Sequence, residues 1–146
     1  MGLDMYLRAH RYLSSHDETE KALSEKAAAL VGFESPFEVR TVSALAQYWR
    51  KANAIHRWFV MNVQNGEDNC QEYDVNREDI RALIALCDRA LETRESSFLP
   101  PKDGFFFGST EIDEYYWNDL KQTRDGLRVV LEKLPPGCWL TYQSSW

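Results

Sequence analysis

The chain has 146 residues and a formal charge of −6, a length that holds one core in a single domain and a charge that excludes general affinity for nucleic acid, which needs a surplus of Lys and Arg. Hydrophobic residues make up 44% and charged residues 27%, while aromatics reach 13% with five Trp, a ring content that a small core can absorb without any ligand. Cys70, Cys87 and Cys138 are odd in number and form no CxxC pair, so neither a disulfide frame nor a zinc knuckle is expected. No stretch approaches a membrane span, and the start "MGLDMYLRAHRYL" lacks a basic segment followed by an apolar run. The expectation is a cytoplasmic protein that does not bind membranes.

Leu3, Met5 and Leu7 alternate with Asp4, Tyr6 and Arg8, the period of a half-buried strand over residues 2 to 8. A helix is expected from about Asp17 to Leu30, with Ser15 and Glu18 as a capping box and Gly32 as its stop. Phe37, Val39 and Thr41 alternate with Glu38 and Arg40 and predict a short second strand. Ser43 reads as the cap of a long helix running to about Gln64 and closed by Asn65-Gly66. The segment "GEDNCQEYD" is polar and irregular. Asn76 with Asp79 then opens a helix carrying Ile80, Leu83, Ile84, Cys87 and Leu91 on one face. Pro100-Pro101 stops helical structure, Phe105 to Phe107 read as extended, and Thr110 with Asp113 predicts a capping box for a helix to about Leu134. After Pro135-Pro136-Gly137, "CWLTYQSSW" reads as a last strand whose pairing with the first ties down Trp146. The fold class is therefore α+β, a small antiparallel sheet joining the N- and C-terminal strands and packed against about four helices.

His56 falls near the centre of the apolar face formed by Leu45, Trp49, Ala52, Ile55, Phe59 and Val63 when residues 45 to 63 are drawn as a helix. A buried imidazole needs partners for its nitrogens. His56 is thus either a core histidine bonded to a carbonyl or carboxylate, or a ligand group or general base. Arg50, Asn53, Arg57 and Gln64 form a stripe along one flank of the same helix. The stripe reads as a solvated face paired with carboxylates, or as planar donors for phosphate or carboxylate oxygens with Tyr48, Trp49 and Trp58 interleaved as stacking surface.

In "GFFFGSTEIDEYYW", Gly108-Ser109-Thr110 would offer free N–H groups to an anion at a helix start, but Glu111, Asp113 and Glu114 fill the first turn and repel one. Those carboxylates are suited instead to receiving Arg50, Lys51 or Arg57, or to holding a divalent ion through oxygen. Asp119 lies at the edge of the apolar face of the same helix, available to point inward. In "TYQSSW", residues 141 to 145 form either a polar edge strand or, with Gln143 and Ser145 on one face, a set of neutral donors to a pocket. No GxSxG, HExxH, P-loop or GxGxxG motif occurs.

These residues support binding of a small anionic, nucleotide-like ligand without metal or cofactor. Trp49, Phe107 or Tyr142 would stack on the base, Arg50, Lys51 and Asn53 would meet phosphate or sugar oxygens, and His56, Ser109, Gln143 and Ser145 would complete the pocket. One alternative is a hydrolytic enzyme with His56 as base and Asp113, Glu114 or Asp119 as acid or metal ligands. Another is an acidic inhibitor that docks on a host protein through residues such as Glu18, Glu20 and Glu25.

The segments "MGLDMYL", "YWRKANAIHRWFV", "GFFFGSTEIDEYY" and "YQSSW" together resemble a family of small bacteriophage and prophage proteins with no established biochemical activity. Residues 14 to 40 lie outside the resemblance. It implies a phage origin, expression in the host bacterial cytoplasm and, by analogy with other accessory phage proteins, a role in counter-defence, either through a nucleotide signal or through a host defence protein. It carries over no catalytic residue.

Overall fold

The computed structural model describes residues 2–146, in the order β1 (Asp4–Tyr12), α1 (Glu18–Val31), β2 (Thr41–Arg50), α2 (Asn53–Asn62), β3 (Tyr73–Val75), α3 (Arg77–Thr93), a 3-10 turn (Ser96–Phe98), α4 (Glu114–Lys133) and β4 (Trp139–Ser145). The fold is α+β. Its strands form one antiparallel sheet in the order β2-β1-β4-β3, with the N- and C-terminal strands paired at its centre as expected. Among the described residues, no helix is long and apolar enough to cross a membrane.

Side-chain alternation sorts the sheet into two unlike faces. Met5 lies opposite Trp49 and Ser144, and Leu7 opposite Tyr142. On that face Leu3, Met5, Leu7, Trp49, Leu140 and Tyr142 join Ile55 and Phe59 of α2, Ile80 and Leu83 of α3, and Leu120 and Leu127 of α4 in one hydrophobic cluster. The other face is polar and aromatic. Arg8 lies over the Tyr6 ring at 4.7 Å and donates to Gln143 at 3.1 Å. His10 bridges the hydroxyls of Ser43 and Thr141, each at 2.7 Å, and so latches β2, β1 and β4 together.

The helix expected from Ser43 to Gln64 is in fact two elements, β2 and α2. Val42, Leu45, Tyr48 and Trp49 suit a pleated surface as well as helical spacing, so periodicity alone misassigned them. Leu7 faces Gln47 and Arg8 faces Leu45, which leaves Ala46 as the extra residue of a bulge. That extra residue shifts the alternation within β2 and hides the strand period. Lys51, at φ 56°, then turns the chain into α2.

Smaller departures have local causes. Residues 37 to 40, expected as strand, are irregular, and only Thr41 enters β2. Asp17 rather than Ser15 caps α1, accepting from the Glu20 N–H at 2.9 Å, while Gly32 stops the helix at φ 80° as expected. Asp113 rather than Thr110 caps α4, since a charged carboxylate is the better acceptor for the Tyr116 N–H at 3.0 Å. Phe105 to Phe107 form a turn closed by the Phe107 N–H on the Gly104 carbonyl at 3.1 Å. The segment expected to be irregular supplies β3 on β4. The capping box of Asn76 and Asp79 on α3 is present in full.

Thr123 on α4 accepts the Trp49 indole N–H at 2.8 Å inside the core. The substitution Thr123→Val keeps the shape and leaves that buried N–H without a partner. Chemical denaturation is expected to show a loss of about 1–3 kcal/mol, against little change for Thr110→Val, an exposed residue outside any element.

Candidate functional site

His56 is fully buried in α2. Its Nδ1 lies 2.7 Å from the Tyr142 hydroxyl and its Nε2 lies 3.0 Å from Asp68 Oδ2, while the Phe107 ring packs edge-on against it. Burial lowers the imidazole pKa, and the hydrogen bond to Asp68 only partly opposes this. Burial also raises the Tyr142 pKa well above its ordinary value, so the phenol keeps its proton. One arrangement satisfies all of these groups: Tyr142 O–H donates to Nδ1 of a neutral ring, and Nε2–H donates to Asp68. The second Asp68 oxygen accepts the Trp146 indole N–H at 3.0 Å. Both ring nitrogens are engaged and no ring surface reaches solvent, so His56 offers no site to a dissolved substrate.

Six of the expected site residues do converge, at the corner where β2 meets α2. The Lys51 N–H donates to the Leu3 carbonyl at 2.7 Å, and the Leu3 N–H donates to the Phe106 carbonyl at 3.1 Å, so the residue before β1 and the aromatic loop fix the corner. Asn53 clamps the same loop. Its Nδ2 donates to the carbonyls of Phe107 and Ser109 at 3.0 and 2.9 Å, and its Oδ1 accepts from the Lys102 N–H at 3.1 Å. Gly108, at φ 87°, lets the loop pass close by: a Cβ there would sit 3.1 Å from Lys51 Cβ.

The corner opens into a cleft of about 280 Å³ between α2 and α4. One wall carries Arg50, Lys51 and the first turn of α2. Ala52, at the cap position, has no side chain able to accept a hydrogen bond, and among the described residues the N–H groups of Ala54 and Ile55 have no partner. The opposite wall carries Glu111, Asp113, Tyr115 and Asp119. Asp119 is half-buried and its carboxyl pKa is pushed up to about 6, first by burial and then by the neighbouring Asp113 charge. Asp113 is tied to the start of α4, whereas Tyr115 holds its ring in solvent at 82% exposure. Arg50 also pairs with Asp4 at 3.4 Å. The cleft is thus cationic on one side and acidic on the other.

The remaining expected residues lie elsewhere. Trp49, Phe107 and Tyr142 are core rings, with Tyr142 stacked on Phe59 at 3.9 Å between centroids. Gln143 joins Arg8 and the Cys70 carbonyl on the open sheet face, and Ser145 is exposed at the end of β4. Glu114 is exposed in the first turn of α4. The stripe of Arg50, Asn53, Arg57 and Gln64 does not form, because Arg50 belongs to β2 and Gln64 lies beyond α2. Tyr115 and the bare amides of α2 were missed. Tyr115 precedes the core residue Tyr116 and so points outward, a signal the helical pattern held; the bare amides were hidden by placing Asn53 in mid-helix. Among the described residues, no group of three His, Cys, Asp or Glu side chains is arranged to hold a metal ion.

Two outcomes follow from the buried groups. Because the folded pKa of His56 lies below the unfolded value of 6.5, the unfolded chain binds the extra proton. Stability from this source is complete above 6.5 and falls as the pH drops toward the folded value. Urea midpoints measured against pH should show this decline in the wild type and a shallower one in His56→Gln. Asn53→Asp, of nearly the same shape, places an oxygen against two carbonyls. It should lower stability by about 1–3 kcal/mol and speed amide exchange across residues 102 to 109. Compared with protein-family models, with curated proteins and with solved structures, the chain matches none.

Proposed function

We propose that the cleft at the start of α2 binds a small anionic, nucleotide-like ligand. The observation that carries this reading is the pair of exposed cations Arg50 and Lys51 on one wall of the cleft, beside the uncapped first turn of α2, whose helix dipole adds to their positive field. Phosphate oxygens are the acceptors that such a wall fits best. The facing carboxylates are acceptors themselves and suit the hydroxyl or amino hydrogens of a sugar or base, so a ligand with both phosphate and donor groups fits better than an inorganic anion. The exposed Tyr115 ring supplies the stacking surface that the buried Trp49, Phe107 and Tyr142 do not. The resemblance to phage proteins supports a host nucleotide signal as the ligand, met in the bacterial cytoplasm.

A second reading is favoured by Asp119. An unpartnered carboxyl with a pKa of about 6 is suited to general acid or base catalysis near neutrality, so a hydrolase built on this cleft would use Asp119, since His56 is sealed in the core. Turnover of a bound nucleotide that disappears in Asp119→Asn, with binding retained, separates this reading from simple binding.

Calorimetric titration with nucleoside mono- and diphosphates tests the proposal. Arg50→Ala and Lys51→Ala are each expected to weaken binding about 5- to 20-fold, the loss of one charge-assisted contact, with melting temperature unchanged. The affinity of the wild type relative to Asp119→Asn should rise as pH falls through about 6, because protonating Asp119 removes a negative charge from the facing wall while the titration of the ligand phosphate cancels in the ratio. Unchanged affinity in both cation variants contradicts the assignment.

A further inference from the structure

The two edges of the sheet are managed differently. One edge is β3, only three residues long. The other is β2, with ten residues, and no backbone group of residues 41 to 50 bonds to any described segment other than β1. Such an edge is ordinarily blunted by Lys, Pro, a covering loop or a bulge. β2 has a bulge at Ala46, but the five residues before it, Thr41 to Leu45, are exposed on both faces and are wholly uncharged. Val42 and Leu45 are 45% and 59% exposed.

We propose that residues 41 to 45 of β2 pair antiparallel with the same residues of a second copy, about a two-fold axis at Ser43. Antiparallel pairing is self-complementary under a two-fold axis, so one edge supplies both partners with all their hydrogen bonds. With the axis at Ser43, Val42 meets Ala44 of the second copy on one face, and Leu45 meets its Thr41 on the other. Both contacts bury apolar surface, and neither sets like charges opposite each other. The second point selects the occupant. Copies that each carry −6 repel over most of their surfaces, and the uncharged run from Thr41 to Trp49 is where they can approach. Beside this edge an apolar cleft formed by Ala46, Val129, Val130 and Leu134 continues the contact surface onto α4. The sheet would become continuous through eight strands, twice the four of one chain.

Sedimentation equilibrium from low to high micromolar concentration tests this pairing. The wild type should reach dimer mass, and Leu45→Lys, which places a charge on an exposed position, should stay at monomer mass with the same circular dichroism melt. Amide exchange of the wild type gives a second readout that needs no variant: protection of residues 41 to 45 should rise with protein concentration. A wild type that remains monomeric, a dimer that survives Leu45→Lys, or exchange that is independent of concentration would each overturn the proposal. In the first case the edge is left to a strand from another protein.

Discussion

An imidazole is tolerated in an apolar core only when both of its nitrogens find partners, and much of this molecule is arranged around meeting that requirement for His56. Its partners come from distant parts of the chain: Tyr142 from the last strand and Asp68 from the loop after α2. Asp68 in turn holds Trp146. The neutral ring and the protonated phenol each occupy the state that their neighbours require, so this hydrogen-bonded set favours one seating of α2 on the sheet. Shifting α2 by one residue would leave a buried phenol and a buried imidazole unpaired at once.

That seating determines where the cleft lies. With α2 held against β4, its first turn meets the end of β2 at Lys51, and Asn53 faces the carbonyls of the aromatic loop. The loop is pinned and α4 closes the opposite side. Arg50, Lys51 and Asp119 are then left lining the cleft beside the uncapped first turn of α2. A polar histidine inside the core and a polar cleft at its border are two consequences of one packing arrangement. The histidine that attracts notice in the sequence is the support; the cleft is lined by its less conspicuous neighbours.

Parts of this were legible from residue order. The alternation of Leu3, Met5 and Leu7, the Asn76 and Asp79 capping box, and the pairing of the first and last strands rest on local rules that tertiary structure did not override. The stretch around Leu45 was illegible because its residues satisfy two periods and the Ala46 bulge breaks the strand pattern where it would have been decisive. That single misassignment propagated. Drawn as one helix, residues 43 to 64 placed Trp49 and Asn53 in mid-helix and concealed the uncapped start of α2. Arg50, Lys51, Asn53 and Ser109 nevertheless line one cleft, although the first three were grouped on a helix that does not exist as drawn. Trp49, Phe107 and Tyr142 were drawn toward the ligand because large rings look alike in a core and in a pocket; only burial distinguishes them.

The central claim is that the open end of α2 receives an anion while His56 remains sealed beneath it. Nitrogen-15 NMR during titration with a nucleoside monophosphate reports on both groups in one experiment. The backbone amide signals of Ala54 and Ile55 should shift together to saturation while the ring nitrogens of His56 keep their neutral-tautomer shifts. Stationary Ala54 and Ile55 signals, or a His56 ring that responds to ligand before those amides do, would contradict the account.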